Sequence, residues 1–181
     1  MSRVSRTAAA FVLAATLATA APAVAVPAEP IVDAKTAAKA EAKAERKERQ
    51  TPPAATQEIK SVAMSVIGTP YSYGGTSPAG FDCSGFTSWV YAHVGITLPH
   101  SSSAQYSLGG TNGFTHIASI EDLQVGDLVF HATGGSGVGH TGIYVGDGQF
   151  ISATSSEGIQ VRSLFDSYWG PLWVGAVRPA L

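Results

Sequence analysis

Apolar positions along this chain repeat with helical spacing up to about residue 123 and with strand-like spacing beyond it. Ile59, Val62, Ala63, Val66 and Ile67 trace one helical face, with Thr56 placed as its cap and Gly68 as its stop. Phe86, Trp89, Val90 and Val94 trace a second, after a turn at Gly80-Phe81, with Asp82 as cap and Gly95 as terminator. A loop through Pro70, Tyr71, Tyr73 and Gly74-Gly75 joins the two. Leu98-Pro99 breaks the chain, Ser101 to Tyr106 suits one short helical turn, and Gly109 to Gly113 is a flexible loop. From Leu123 the pattern is that of strands. Asp127 to His131 is the first, Gly158 to Leu164 and Trp173 to Val177 are the last two, and Phe165 to Leu172 between those is a turn or short helix. His140 to Val145 and Gln149 to Thr154 flank Gly146-Asp147-Gly148, a hairpin signal. Helices first and antiparallel strands afterwards give an α+β domain with the helices on one side of the sheet. No internal repeat is visible.

The amino end reads differently. Arg3 and Arg6 precede an Ala-, Leu- and Val-rich stretch from Thr7 to Ala21, and Ala23-Val24-Ala25 is a small-residue cleavage site. Residues 1–25 are therefore expected to be an export signal, the other reading being an anchor that stays attached. After cleavage the chain is expected to leave the cytoplasm, with no integral membrane span, and to be secreted into a periplasm-equivalent space or, as the resemblance given below implies, the cell wall. Residues 26–55 form an Ala/Lys/Glu-rich linker opened by Pro27 and Pro30 and closed by Pro52-Pro53. Its charged helix-forming stretch has no stripe of large apolar residues, which suits a spacer better than a coiled coil. Residues 56–181 are the folded domain. Forty-five per cent hydrophobic residues and 20 glycines allow a real core, and 11 Lys and Arg against 13 Asp and Glu leave no basic excess for nucleic acid.

Cys83 is the one cysteine in 181 residues, so it cannot form an intrachain disulfide. In the first turn of a helix it meets unpaired backbone N–H groups that favour a thiolate, although Asp82 beside it opposes ionisation. The competing readings are an inert buried residue or an intermolecular bridge. A nucleophilic thiol needs a base, and His93, His100, His116, His131 and His140 are available. His93 suits a hydrogen-bonded structural role, His116 sits in a loop, and His131 ends a strand before a glycine-rich loop. His140 opens the hairpin strand, where a ring is held on rigid sheet next to open space. Spacing does not choose among them, because cysteine and base meet through the fold. The histidines have no metal-ligand spacing, and neither metal nor cofactor is expected.

Six segments, taken in order, resemble the NlpC/P60 family of cell-wall cysteine peptidases. They are TPYSYGG (69–75), GFDCSGF (80–86), GITLPHSSSAQ (95–105), LQVGDLVF (123–130), GHTGIYVGDGQFI (139–151) and YWGPLWVGAVR (168–178). The resemblance implies a papain-like fold, with the nucleophile helix packed on an antiparallel sheet. It implies cleavage of peptidoglycan stem peptides, often between γ-D-glutamate and a diamino acid, by a monomer. Carried across, Cys83 is the nucleophile, His140 the base, and Ser152 takes the ring-orienting position where His, Glu, Gln or Asn is usual. Tyr71 offers a hydroxyl to the scissile region, and Asp82 a carboxylate to the free amino end of a stem. His100 stands where arginine is common. Ser152 reaches the face of His140 if the hairpin has a three-residue loop and the opposite face if it has a two-residue turn. A CHAP-type amidase and a catalytically silent wall-binding domain are the alternative functions.

Overall fold

The computed structural model describes residues 53–135 and 137–181. The expected export signal and nearly all of the expected linker lie outside these residues. Helix α1 spans Ala54–Ser65 and buries Ile59 and Ala63. Its cap is Pro53 rather than Thr56, which lies inside the helix and is buried. Gly68 stands beyond the end with φ +84°, a conformation that only glycine adopts without strain. Strands β1 (Thr76–Ser77) and β2 (Gly80–Phe81) form a small hairpin before helix α2, Cys83–Ala92. Phe86 and Val90 of α2 are fully buried, while Trp89 and Val94 pack at the edge of the same core. Helix α3 is the expected short turn, Ser102–Tyr106, capped by Ser101.

The remaining strands are β3 (Thr115–Ile117), β4 (Leu128–His131), β5 (His140–Gly146), β6 (Gln149–Thr154), β7 (Gly158–Ser163) and β8 (Trp173–Arg178). They form one antiparallel sheet in the order β3-β8-β4-β5-β6-β7. Strict alternation along β4, β5 and β6 sends residues to two cores. Leu128, Phe130, Ile143, Ile151 and Ala153 join Ile59, Phe86 and Val90 under the helices. Val129, Phe150 and Ala176 face the other way and are covered by Leu164 and Trp169 from the β7–β8 connection. The fold is the expected papain-like α+β arrangement, with the addition that both sheet faces are covered.

The β5–β6 hairpin resolves the register question in an unexpected way. Its turn has two residues, Asp147 and Gly148, with φ +53° and +68°, the signs of a type I′ turn. Gly146 pairs with Gln149, but Tyr144 already pairs with Phe150, so Val145 is an extra residue in a β-bulge. Lys60 Nζ of α1 donates to the Val145 carbonyl at 2.7 Å. Beyond the bulge the register is the one a three-residue loop would set. Continuing Ile143↔Ile151 brings Gly142 against Ser152, on the same face as His140.

Candidate active site

The peptide loop before α2 and the helix itself are locked together by a glycine contact. An ideal Cβ on Gly85 would fall 2.0 Å from the Gly75 carbonyl oxygen, so no other residue fits this first turn. The Asp82 backbone N–H donates to that same oxygen at 3.0 Å. Asp82 caps α2: its Oδ1 accepts from Gly85 N–H at 2.7 Å and from the Ser84 hydroxyl at 3.1 Å. Its Oδ2 takes the Gly74 N–H at 3.0 Å and faces His100 Nε2 at 2.8 Å. Burial pushes this carboxyl up, but the Gly85 N–H, the His100 contact and the Ser84 hydroxyl together hold it below the usual carboxylate range. Four partners meet a carboxylate's roughly four lone-pair sites. Asp82 is thus saturated within the protein and keeps only its charge to offer a substrate.

Cys83 follows the cap, half-buried at the start of α2. The β5–β6 pairing runs only from Ile143 outward, so the two strands part at the His140 end. There the backbone N–H of Thr141, with those of Ser84 and Cys83 itself, acts to lower the Cys83 thiol's pKa. Burial pushes the thiol up, Asp82 adds to that, and these three donors oppose it without prevailing. The thiol pKa is therefore raised, whereas the helix-start argument expects it lowered. Desolvation outweighs the helix terminus, and desolvation is not visible in a sequence.

A cleft of about 530 Å³ contains Cys83, Tyr71, His140, Glu157, Arg162 and Trp169 among its lining residues. Cys83 and His140 thus share one cleft. Tyr71 lines it too, and its backbone bridges to Phe81 just before Cys83. Burial, then the neighbouring Cys83 and Asp82, raise the Tyr71 hydroxyl's pKa, so it stays a donor. Arg162 pairs with Glu157 at 3.0 Å on the cleft wall.

His140 is 7% exposed, and its Nε2 has no hydrogen-bond partner among the described residues. Trp169 stacks on its ring at 4.8 Å between centres and an interplanar angle of 30°. Asp166 Oδ1 fixes that tryptophan by accepting its backbone N–H at 2.6 Å. Burial, with His131 alongside, pushes the His140 imidazole down to about 3. At neutral pH Cys83 is a thiol and His140 a neutral imidazole.

Ser152 is fully buried on the same sheet face, its Oγ unpartnered. An ideal Cβ on Gly142 would come within 3.0 Å of Ser152 Cβ and 2.7 Å of the Phe150 ring, so glycine is what lets both side chains lie over β5. His131 is the main departure from the sequence reading. It does not face the glycine loop but is wholly buried and pairs with His140 across β4 and β5. His93 is exposed, and its Nδ1 lies 2.9 Å from the Trp89 carbonyl, a structural contact. His116 falls in β3, which the sequence reading treats as loop, and its ring packs on Tyr106 at 4.9 Å. Trp169 and the Thr141 N–H are neighbours of His140 and Cys83 that sequence reasoning missed, and His131 was weighed there only as a base candidate at a strand end. Among the described residues no group of three or more His, Cys, Asp or Glu could hold a metal ion.

The NlpC/P60 family profile matches residues 68–178. The "Probable endopeptidase p60" of Listeria seeligeri is 46% identical over 120 residues, covering 66% of this chain and 21% of that protein. The "Probable peptidoglycan endopeptidase LytE" of Bacillus subtilis is 41% identical over 121 residues, covering 67% and 34%. The chain thus spans about a fifth to a third of the length of these curated relatives. Among solved structures, the NlpC/p60 domain of peptidoglycan hydrolase SagA superposes with a TM-score of 0.58 at 35% identity, covering 68% of this chain and 98% of that one.

Proposed function

This chain belongs to the NlpC/P60 family, and from that premise we propose that it is an exported cysteine endopeptidase that hydrolyses peptidoglycan stem peptides. One observation carries the reading: Cys83 opens α2 on the same cleft as His140.

The chemistry starts from neutral partners, so proton transfer accompanies attack rather than preceding it. As the Cys83 sulfur adds to the amide carbonyl, His140 takes its proton. The tetrahedral oxygen carries the developing charge, and the Tyr71 hydroxyl and the backbone N–H groups of Cys83 and Ser84 are donors suited to it. Collapse breaks the C–N bond, the departing amine receives the proton from His140, and a thioester remains on Cys83. A water then attacks the thioester, giving its proton to His140, and the thiol is regenerated with release of the acid. Trp169 keeps solvent off one face of the imidazole. Ser152 stands on the face from which an orienting group would act. Asp82 contributes negative charge near the cleft, which favours the free amino end of a stem.

The resemblance supports the γ-D-glutamyl–diamino acid amide as the cut. The names of relatives, a probable peptidoglycan endopeptidase and a peptidoglycan hydrolase, support peptidoglycan as the polymer. Residues 56–181 are proposed as the catalytic domain, and the basic-then-apolar amino end supports export. Mass spectrometry of purified peptidoglycan after incubation with the chain tests this. The expected products are stems split after γ-D-glutamate, and none from Cys83→Ala. Intact stems released from sugar would replace the endopeptidase with an amidase. Full activity in Cys83→Ala would remove the cysteine mechanism.

A further inference from the structure

His131 has no task in the chemistry above. It is fully buried, and neither ring nitrogen has a hydrogen-bond partner among the described residues. Its ring stacks on Phe150 at 4.8 Å and meets Trp169 at 5.0 Å and Trp173 at 6.1 Å, each edge-on. A phenylalanine would fill that aromatic slot without forfeiting the hydration of two nitrogens. The histidine is therefore poorly explained by packing alone.

Besides Nε of Arg162 on β7, the orphaned polar atoms on this face of the sheet are Nε2 of His140 and Oγ of Ser152, which with His131 make a group of three. The three side chains come from adjacent strands. His131 sits opposite His140, and Ser152 lies over Gly142, two residues along β5 from His140. The His131 and His140 ring centres are 6.3 Å apart. A ring nitrogen is about 1.3 Å from its ring centre, so the nitrogens stay beyond direct hydrogen-bond reach of about 3 Å. One water spans such a gap, and buried waters characteristically hold about three polar partners.

We propose that His131 is a positioning residue for His140, acting through one buried water that also bonds Ser152. The proposal rests on the reading of His140 as the base. The water's two protons and one of its lone pairs are used. The water accepts from His140 Nε2–H and donates to the unprotonated nitrogen of neutral His131 and to Ser152 Oγ. This fixes the Nε2–H tautomer and leaves Nδ1, the nitrogen that is not a buried orphan, to take the thiol proton. Burial holds His131 down at about 4, so it is neutral wherever the enzyme works near neutral pH.

The test uses the full chain with His131→Phe, which keeps the aromatic stack, and with His131→Asn and His131→Gln, which return a polar atom near one or other ring nitrogen. Turnover on one defined stem peptide, thermal unfolding and ¹⁵N spectra of the His140 ring are measured for each. His131→Phe is expected to unfold no lower than wild type, to lose roughly three- to tenfold in kcat and to leave KM unchanged. Its His140 spectrum should change from one tautomer to a mixture, and one of the two polar variants should recover most of the lost kcat. A high-resolution crystal structure should show a water bonded to both rings. Wild-type kcat and an unchanged His140 spectrum in His131→Phe would overturn the proposal, as would rings bridged by nothing. A wild-type chain that cleaves no stem would instead sink the endopeptidase reading, and the tautomer spectra would still decide the role of His131.

Discussion

Acid should unfold this protein earlier than its carboxylates alone require, because two buried histidines must stay neutral in the native state. Burial pushes His140 down to about 3 and His131 to about 4. Both return to the ordinary value near 6.5 on unfolding. Below pH 6.5 the unfolded chain binds protons that the folded chain refuses, so stability falls as pH falls. Between pH 8 and pH 5 each histidine withdraws about 2 kcal/mol, roughly 4 together. For a domain of this size that corresponds to a drop in Tm of about 10–20 °C. The carboxyl of Asp82, held below its usual range, adds its own loss only under about pH 4, so the windows separate. Thermal unfolding followed by circular dichroism from pH 8 to pH 4.5 reads the effect directly. His131→Phe and His140→Phe should each remove about half of the slope. A wild-type Tm that is flat between pH 7 and pH 5, or a slope untouched by both variants, would refute the argument.

Three further outcomes follow from the site. Alkylation of Cys83 by iodoacetamide should rise with pH at a midpoint no lower than that of a free cysteine, since burial raises the thiol; a midpoint below pH 7 would restore the helix-start argument. Asp82→Ala should cost about 1–2 kcal/mol in urea unfolding through loss of the α2 cap, and Asp82→Asn clearly less, because an amide oxygen still accepts from Gly85 N–H. Residues 56–181 should unfold cooperatively and cleave stems without the preceding segment, whose Ala/Lys/Glu-rich sequence has no stripe of large apolar residues; a non-cooperative melt would refute this.

Periodicity made the helical faces and the hairpin legible, because each rests on residues close in sequence. The short strand Thr115–Ile117 was not, since its residues are polar or half-exposed and it is held by pairing with β8. Cys83 and His140 were singled out through motif resemblance, while their electrostatics depend on burial that no motif states. His131 was legible only as a strand end. Its relation to His140 is a cross-strand register, invisible until β4 and β5 are paired. Ser152 reached its face by a combination, a two-residue turn plus a bulge, that neither simple loop length anticipates.

That bulge bears on how the hairpin tip can change length during evolution. The partnership of His140 and Ser152 depends on which residues of β5 and β6 enter the core under the helices, namely Ile143, Ile151 and Ala153. The two-residue turn with Val145 as an extra residue meets that demand, and so would the same turn with Val145 deleted and Gly146 following Tyr144 directly. A one-residue deletion at the bulge can therefore be absorbed at the cost of the Val145 side chain and its carbonyl's bond to Lys60. The same deletion between Gly142 and Tyr144, or between Phe150 and Ser152, has no such outlet. It would exchange the two faces of a strand and carry the base or its neighbour into the wrong core. Length variation among homologous hairpins should accordingly gather at residues 145–148 and stop short of Tyr144 and Phe150.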